Sequence, residues 1–391
     1  MSNAVIVGAC RTAIGRFLGS LKAFQAPELG AIVVKEAVSR AGIRKEDVDE
    51  VIMGNVLQAG VGQAPARQAA ILAGVPESTP CWTLNKVCGS GLKAVISGAQ
   101  AIALGDADTV VAGGMESMSN VPYYDRAARA GVRMGNVELV DGMIHDGLWD
   151  VYSQQHMGMC AEQCATAYGI SRAAQDEYAL ESTRRAIEAW KSGAFKAEIV
   201  PVENEGKRGE KTIVADDDGP KAAKPEKIPA LRPVFKKDGT VTAANSSSIN
   251  DGGAALVLMS AERAKRDARP VLARVTAWGG AARAPVEFTI APADAVKLTL
   301  GKAGLAPKDV DLWEINEAFA VVSIANNRLL GLDGKSVNVR GGAVVLGHPI
   351  GASGARILVT LLQAMKDLGK RRGLASLCIG GGEAVAVIVE R

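Results

Sequence analysis

Aromatic and imidazole side chains are scarce in this chain. Its 391 residues include only 5 Trp, 5 Tyr, 6 Phe and 3 His, against 44 Gly. Such a balance suits aliphatic α/β layers with tight turns and close backbone approaches. Cysteine is sparse too. Cys10, Cys81, Cys88, Cys160, Cys164 and Cys378 are too few for a disulfide scaffold, and none sits in a CxxC pair. With only His145, His156 and His348 beside them, no metal site is expected. Excess charge is also missing: 45 basic residues face 42 acidic ones, which argues against nucleic-acid binding. No stretch of 18 uncharged apolar residues exists, so no membrane span is expected. The apolar run Ala4–Ala9 is too short for a secretion signal and precedes its charges, Arg11 and Arg16. What remains is a reduced, cytoplasmic, soluble chain of two or three domains. Its 48% hydrophobic content is enough for a large core.

Apolar runs of strand length alternate with helix-period segments. Ala4–Gly8, Val51–Gly54 and Thr109–Gly113 read as strands, and Pro27–Ala41 and Leu92–Leu104 as helices. The alternation returns near the C-terminus. Leu312–Ile315, Ser336–Val339, Ala375–Ile379 and Ala384–Val389 read as strands, and Ala318–Leu330 and Ser353–Leu368 as helices. The two ends resemble each other. Ala41-Gly42-Ile43 with Asp47-Val48-Asp49 recurs as Ala303-Gly304-Leu305 with Asp309-Val310-Asp311. Ser90-Gly91 recurs as Ser353-Gly354, and Val110–Gly114 as Leu377–Gly381. Three matches in one order at nearly one spacing indicate a duplicated α/β unit. Between the halves lies a different stretch with one strong helix, Arg172–Ser192, capped by Ser171 and ended by Gly193. Its segment Glu203–Asp238 holds nine basic and eight acidic residues, a solvated loop of mixed charge rather than a basic tail.

Four places carry candidate chemistry. Cys88 precedes the helix that starts near Leu92, where the helix dipole and free N–H groups favour a thiolate, and small residues at 89–91 leave room for a ligand. The alternative is an inert buried cysteine. His348 lies in Gly347-His348-Pro349, in a tight turn read as joining a strand to a helix. That turn holds nearly the same place in its half as Cys88 does in the other, so a pseudo-twofold could pair thiol and imidazole. Alone, it reads equally as a structural turn histidine. Cys378 ends an apolar run before Gly380-Gly381-Gly382, glycines that permit close approach and can offer N–H donors to an oxyanion. A buried cysteine at a strand end is the plainer reading. Asn316, at a strand-to-helix junction, is a ligand-edge residue or simply an N-cap.

Taken together, Cys88, Gly347-His348-Pro349, Cys378, Gly113-Gly114-Met115-Glu116-Ser117-Met118 and Asn250-Asp251-Gly252-Gly253-Ala254 resemble the thiolase family along nearly the whole chain. The resemblance is strongest to its acetoacetyl-CoA-forming branch. It implies an α/β fold of two βαβαβαββ halves in five α-β-α-β-α layers with an inserted loop domain. The N-terminal half would span 1–120 and 251–267, the loop domain 121–250, and the C-terminal half 268–391. It implies a reversible Claisen condensation of two acetyl-CoA to acetoacetyl-CoA and CoA, with no cofactor and no metal, in a homotetramer. Cys88 would be acylated, His348 would take its proton, and Cys378 would act on C2 of the second acetyl-CoA. Asn316 would hold a water beside His348 as one oxyanion hole, and the N–H groups of Cys88 and Gly380 would form the other. Leu148, His156, Met157, Phe235, Ala243, Ser247, Phe288, Ala318 and Phe319 would line the substrate tunnel, and basic residues near 221–232 would meet the CoA phosphates.

The chain departs from the family pattern at Val345, where Ser or Ala is usual, and at Glu383, where a neutral residue is usual. Pro220 stands where a mitochondrial relative has an ion-binding tyrosine, so no ion requirement is expected. The stretch Glu287–Pro292 resembles that same relative, which also takes 2-methyl-branched substrates. Rival readings are a degradative 3-ketoacyl-CoA thiolase of broader chain length and a noncatalytic carrier of CoA or lipid. Decarboxylating and hydroxymethylglutaryl-forming synthases of the same fold lack a second reactive cysteine, so Cys378 speaks against them.

Overall fold

Strand by strand, alternate side chains turn to different layers, and that alternation builds the molecule. The structure, a computed structural model, describes residues 4–205 and 209–391. Met1–Asn3 and, within the charged segment, Gly206–Arg208 lie outside the described residues. The first half runs β1 (Ala4–Thr12), α1 (Ala26–Arg40), β2 (Glu50–Gly54), α2 (Pro65–Leu72), β3 (Cys81–Leu84), α3 (Ser90–Leu104) and β4 (Thr109–Ser117). A long insert with α4 (Met157–Ala167) and α5 (Arg172–Lys191) follows, and β5 (Asn250–Ser260) returns to the sheet. The second half runs β6 (Ala273–Ala282), α6 (Ala291–Ala303), β7 (Leu312–Ile315), α7 (Ala320–Leu330), α8 (Ala343–Leu346), α9 (Ser353–Asp367), β8 (Arg372–Ile379) and β9 (Glu383–Glu390).

The strand order is β7-β8-β9-β6-β1-β5-β4-β2-β3. Each half repeats the other: β3-β2-β4-β5-β1 corresponds to Val337-β7-β8-β9-β6, with the first pairs parallel and the later ones antiparallel. The halves join edge to edge through the pairs Val5–Arg274 and Ile6–Ala273. The duplication read from the sequence is therefore a duplication of topology. One expected strand is missing. Ser336–Val339, the counterpart of β3, keeps a single bridge between Val337 and Trp313. Asn338 takes a left-handed conformation there (φ 47°), and its side-chain amide replaces the ladder. It accepts from the Ile315 N–H and donates to the Ile315 carbonyl.

Val5, Val7, Val51, Met53, Val111 and Met115 face α1 and α2 on one outside. Their neighbours Ile6, Ile52, Val110 and Ala112 face the central layer, which they share with Ala375, Leu377, Ile379, Val385 and Val387 of the second half. Leu374, Ala384, Ala386 and Ile388 face α6 on the far side. One continuous sheet, whose two halves lie either side of the β1–β6 seam, is packed between three helical layers. The central layer holds α3 and α9, and α9 is buried from Ser353 through Leu362. The only stretch among the described residues long and apolar enough to cross a membrane, Val87–Leu104, is this central α3 with its lead-in, and 56% of it is buried.

The insert occupies the place between β4 and β5 where the second half has only the Gly380–Gly382 turn between β8 and β9. Its helix α5 begins as expected, with Ser171 Oγ accepting from the Ala174 N–H, and Gly193 past its end has φ 74°.

Candidate active site

Glycine brings the two reactive turns together. A Cβ on Gly91 would lie 2.8 Å from the Ala355 nitrogen, and one on Gly354 would lie 2.3 Å from the Leu92 nitrogen. The N-terminal ends of α3 and α9 therefore cross backbone to backbone. Gly91 and its neighbour Gly89, whose Cβ would strike Ile379, serve packing rather than ligand space. That corrects the reading of small residues as room for a ligand.

Cys88 follows Val87, a β-branched residue held at φ 45°. Such a conformation is strained and persists where surroundings enforce it. Here Asn85 Oδ1 accepts from the Val87 N–H, and Ser90 Oγ donates to the Val87 carbonyl at 2.7 Å. Burial pushes the Cys88 thiol up to about 11, against the opposing pull of the N–H groups of Gly380 and of Cys88 itself, which point at its sulfur. The thiol is the resting form. Desolvation outweighs the helix dipole, so the thiolate expected from position alone needs a base.

His348 supplies one. Its Nδ1 lies 2.5 Å from Ser353 Oγ. Ser353 spends its only proton on the Pro349 carbonyl at 2.8 Å, so Nδ1 must be the donor. The lone pair therefore sits on Nε2, which is buried and has no partner within the protein. The His348 N–H donates to Asn250 Oδ1, fixing the turn from behind. Burial, and secondarily the charge of Arg356, push the imidazole down to about 3, so it rests neutral. The turn joins α8 to α9, not a strand to a helix as expected.

Cys378 is fully buried near the end of β8. Burial raises its thiol well above the ordinary value, and the nearby Cys88 sulfur adds to the rise. Asn316 is 1% exposed, and both ends of its amide lack partners. It is no N-cap, since α7 starts only at Ala320 behind Phe319.

An apolar cavity of about 290 Å³ joins these turns. Cys88, His348 and Gly380 line it together with Leu148, His156, Met157, Phe235, Ser247, Phe288, Ala318 and Phe319. Cys378 and Asn316 are not on its surface. Cys378 packs in the cluster of Phe288, Ala318 and Phe319 that forms the wall. His156 caps α4 by accepting from the Gly158 N–H and stacks on Phe235 at 4.7 Å. Phe319 meets both Phe235 and Phe288 edge to face. Ala243 lies outside this cavity, in an adjoining recess with Lys224 and Lys227 that shares Ser248 with it. Among the described residues no group of three or more His, Cys, Asp or Glu could hold a metal.

Sequence reasoning assigned no role to the supports. Ser353 and Asn250 orient His348. Glu116 accepts from the N–H groups of Val56, Leu57 and Gly351 and from Asn55, tying the His348 turn to the first half. Burial lifts its carboxyl to about 7. Glu317 accepts from Tyr178, Ser182, Asn338 and the Val344 N–H. Asn250 stood in a quoted motif without a role; the structure shows it packed under Gly347, where a Cβ would strike its amide at 2.3 Å.

Comparison with known proteins matches residues 4–262 to the family model "Thiolase, N-terminal domain" and residues 269–391 to "Thiolase, C-terminal domain". The chain is 53% identical to an acetyl-CoA acetyltransferase of Cupriavidus necator, covering all of both chains. It is 51% identical to that of Pseudomonas aeruginosa, again over all of both. With the mitochondrial acetyl-CoA acetyltransferase of Rattus norvegicus it shares 51% identity, over all of this chain and 92% of the relative.

Proposed function

This chain belongs to the thiolase family, and on that premise we propose that it reversibly condenses two acetyl-CoA to acetoacetyl-CoA and CoA through an acetyl-Cys88 intermediate. The observation that carries the reading is one cavity lined by Cys88 of the first half and His348 of the second, with the Gly380 N–H directed at the Cys88 sulfur.

His348 Nε2 takes the Cys88 proton as the sulfur attacks the thioester carbonyl. The departing CoA sulfur takes a proton from Cys378, leaving a thiolate basic enough to remove one from C2 of the second acetyl-CoA. The protonated His348 and a water on Asn316 meet the enolate oxygen. The N–H groups of Cys88 and Gly380 meet the oxygen of the acetyl group under attack. Carbon–carbon bond formation expels the Cys88 thiolate, and His348 returns its proton. Each proton removed is restored, and no cofactor takes part.

The small cavity, lined by Met157, Phe288 and Phe319, supports a short acyl group over the broader chain length of degradative relatives. Thiolysis of a 3-ketoacyl-CoA series tests this: kcat/KM should fall steeply beyond four carbons, and a flat series would favour the degradative reading. A noncatalytic carrier would form no acetyl-enzyme. Lys224 and Lys227 in the adjoining recess are suited to the CoA phosphates, with Ala243 beside them. The insert 121–250 would carry CoA binding and tetramer formation. Its exposed Tyr123, Val132, Met134, Val137 and Leu139 support self-association, which sedimentation velocity would read as four chains. Six unpaired cysteines suit a reducing, cytoplasmic setting.

A further inference from the structure

An ion pair joins the two halves beside the catalytic turns. Lys86 Nζ donates to Glu383 Oε2, and the partners are 297 positions apart. Lys86 stands two residues before Cys88, and Glu383 three after Gly380. The pair therefore links the two turns whose N–H groups point at the Cys88 sulfur. Glu383 is also a departure from the family pattern, and the acyl-transfer reading leaves it without a task.

Both ends are anchored through their backbones. The Lys86 N–H donates to Ser90 Oγ at 2.8 Å, and the Lys86 carbonyl accepts from the Gly89 N–H at 3.0 Å, so Lys86 belongs to the Cys88 turn. Glu383 opens β9, where it pairs with Ile379 of β8 on one side and Ala282 of β6 on the other. It is the fixed foot of the Gly380–Gly382 turn. The turn itself is soft. Gly381 and Gly382 lie at φ 91° and 92°, in the left-handed region that glycine enters freely. The Gly382 carbonyl accepts from the Arg283 N–H at 2.8 Å, which secures the far end. Around Gly380 the contacts are apolar: a Cβ there would lie 3.5 Å from Met157 and 3.6 Å from Val87. Apolar contact is non-directional and fixes no register. A charge pair between two anchored backbones does.

The two side chains are 31% and 40% exposed, so water screens the pair and its strength is modest. Modest strength is enough at this place. Losing one oxyanion donor outright costs about 10²–10³ in kcat, and a loosened donor forfeits part of that.

We propose that Lys86 and Glu383 are positioning residues for the acyl transfer: their ion pair holds the Gly380 N–H in register with the Cys88 N–H, so that both donors converge on one thioester oxygen. The inference deepens the acyl-transfer reading and rests on it for the identity of that oxygen. The register itself can be read without substrate, because the same two N–H groups face the Cys88 sulfur.

The test compares Lys86→Gln, Glu383→Gln and the exchange of Lys86→Glu with Glu383→Lys. Iodoacetamide labelling of Cys88 in the free enzyme is followed at pH 8 by peptide mass spectrometry, which separates it from the other cysteines. A loosened Gly380 N–H supports the thiolate less. Both single variants should therefore label about threefold more slowly, and the exchange should restore most of the rate. Charge acting on the sulfur by itself gives opposite signs: removing the Lys86 cation slows labelling, and removing the Glu383 anion speeds it. That outcome overturns the inference, as do unchanged rates in the single variants or an exchange as slow as they are. In thiolysis each single variant should lose about fivefold in kcat with KM unchanged, and the exchange should recover it. A loss confined to KM also overturns the inference. Absence of thiolysis in the parent enzyme would count against the acyl-transfer reading alone, because the labelling rates still decide whether the pair sets the register.

Discussion

Gly354 and Leu92 touch backbone to backbone, and the mirror contact between Gly91 and Ala355 repeats it across the pseudo-twofold. Neither helix start could move apart without separating Cys88 from His348. Gly354→Ala should therefore cost about 1–3 kcal/mol of stability through overpacking and reduce kcat as well. Gly301 on α6 is the contrast. A Cβ there meets nothing within 4 Å, so Gly301→Ala should leave activity intact and stabilise by about 0.4–1 kcal/mol. Thermal unfolding of the two variants checks both signs.

Ser353 sets the tautomer of His348 by accepting from Nδ1. Ser353→Ala frees the ring to place its proton on Nε2, where it cannot accept from Cys88. The expected loss in kcat is about tenfold with little change in KM. Ser353→Thr keeps the hydroxyl and should recover most of it. Equal kcat in Ser353→Ala and the parent would remove the tautomer argument.

A thiol pushed up to about 11 is protonated throughout the neutral range. As pH rises toward that value the thiolate fraction grows, so iodoacetamide labelling of Cys88 should speed up about tenfold per pH unit between 7 and 10. Because His348 stays neutral down to about 3, it should impose no inflection near 6.5. A plateau in labelling already at pH 7 would mean that the turn holds a thiolate and that burial has been overweighed.

Met157 stands between the catalytic cavity and a larger recess of about 670 Å³, and both are lined by Val87, Gly147 and Gly380. Met157→Ala should join them and raise kcat/KM for a six-carbon 3-ketoacyl-CoA relative to acetoacetyl-CoA. The same assay with 2-methylacetoacetyl-CoA tests the branched-substrate expectation drawn from Glu287–Pro292. Rapid thiolysis of acetoacetyl-CoA beside none of the methylated substrate would refute it.

Much of this was legible in the chain because it depends on local pattern. Continuous apolar runs marked β1, β4 and β8, and the paired Ser90-Gly91 and Ser353-Gly354 marked the two helix starts. Strand Ser336–Val339 misled because its composition is strand-like, while Asn338 pairs through its side chain instead. Glu116 and Asn250 stood in the quoted motifs, yet their roles were not legible for another reason. Each acts through partners more than 40 positions away, and no local spacing encodes such a contact. The protonation state of Cys88 likewise depends on burial, which position in a helix does not reveal.

Mass spectrometry of the enzyme after mixing with acetyl-CoA tests the central claim most directly. Cys88 should gain an adduct of about 42 Da, the mass of an acetyl group replacing a proton. Cys88→Ala should show none, and Cys378→Ala should keep the adduct while losing condensation. An enzyme that turns over acetoacetyl-CoA with Cys88 unmodified, or with the acetyl group on Cys378, would contradict the account.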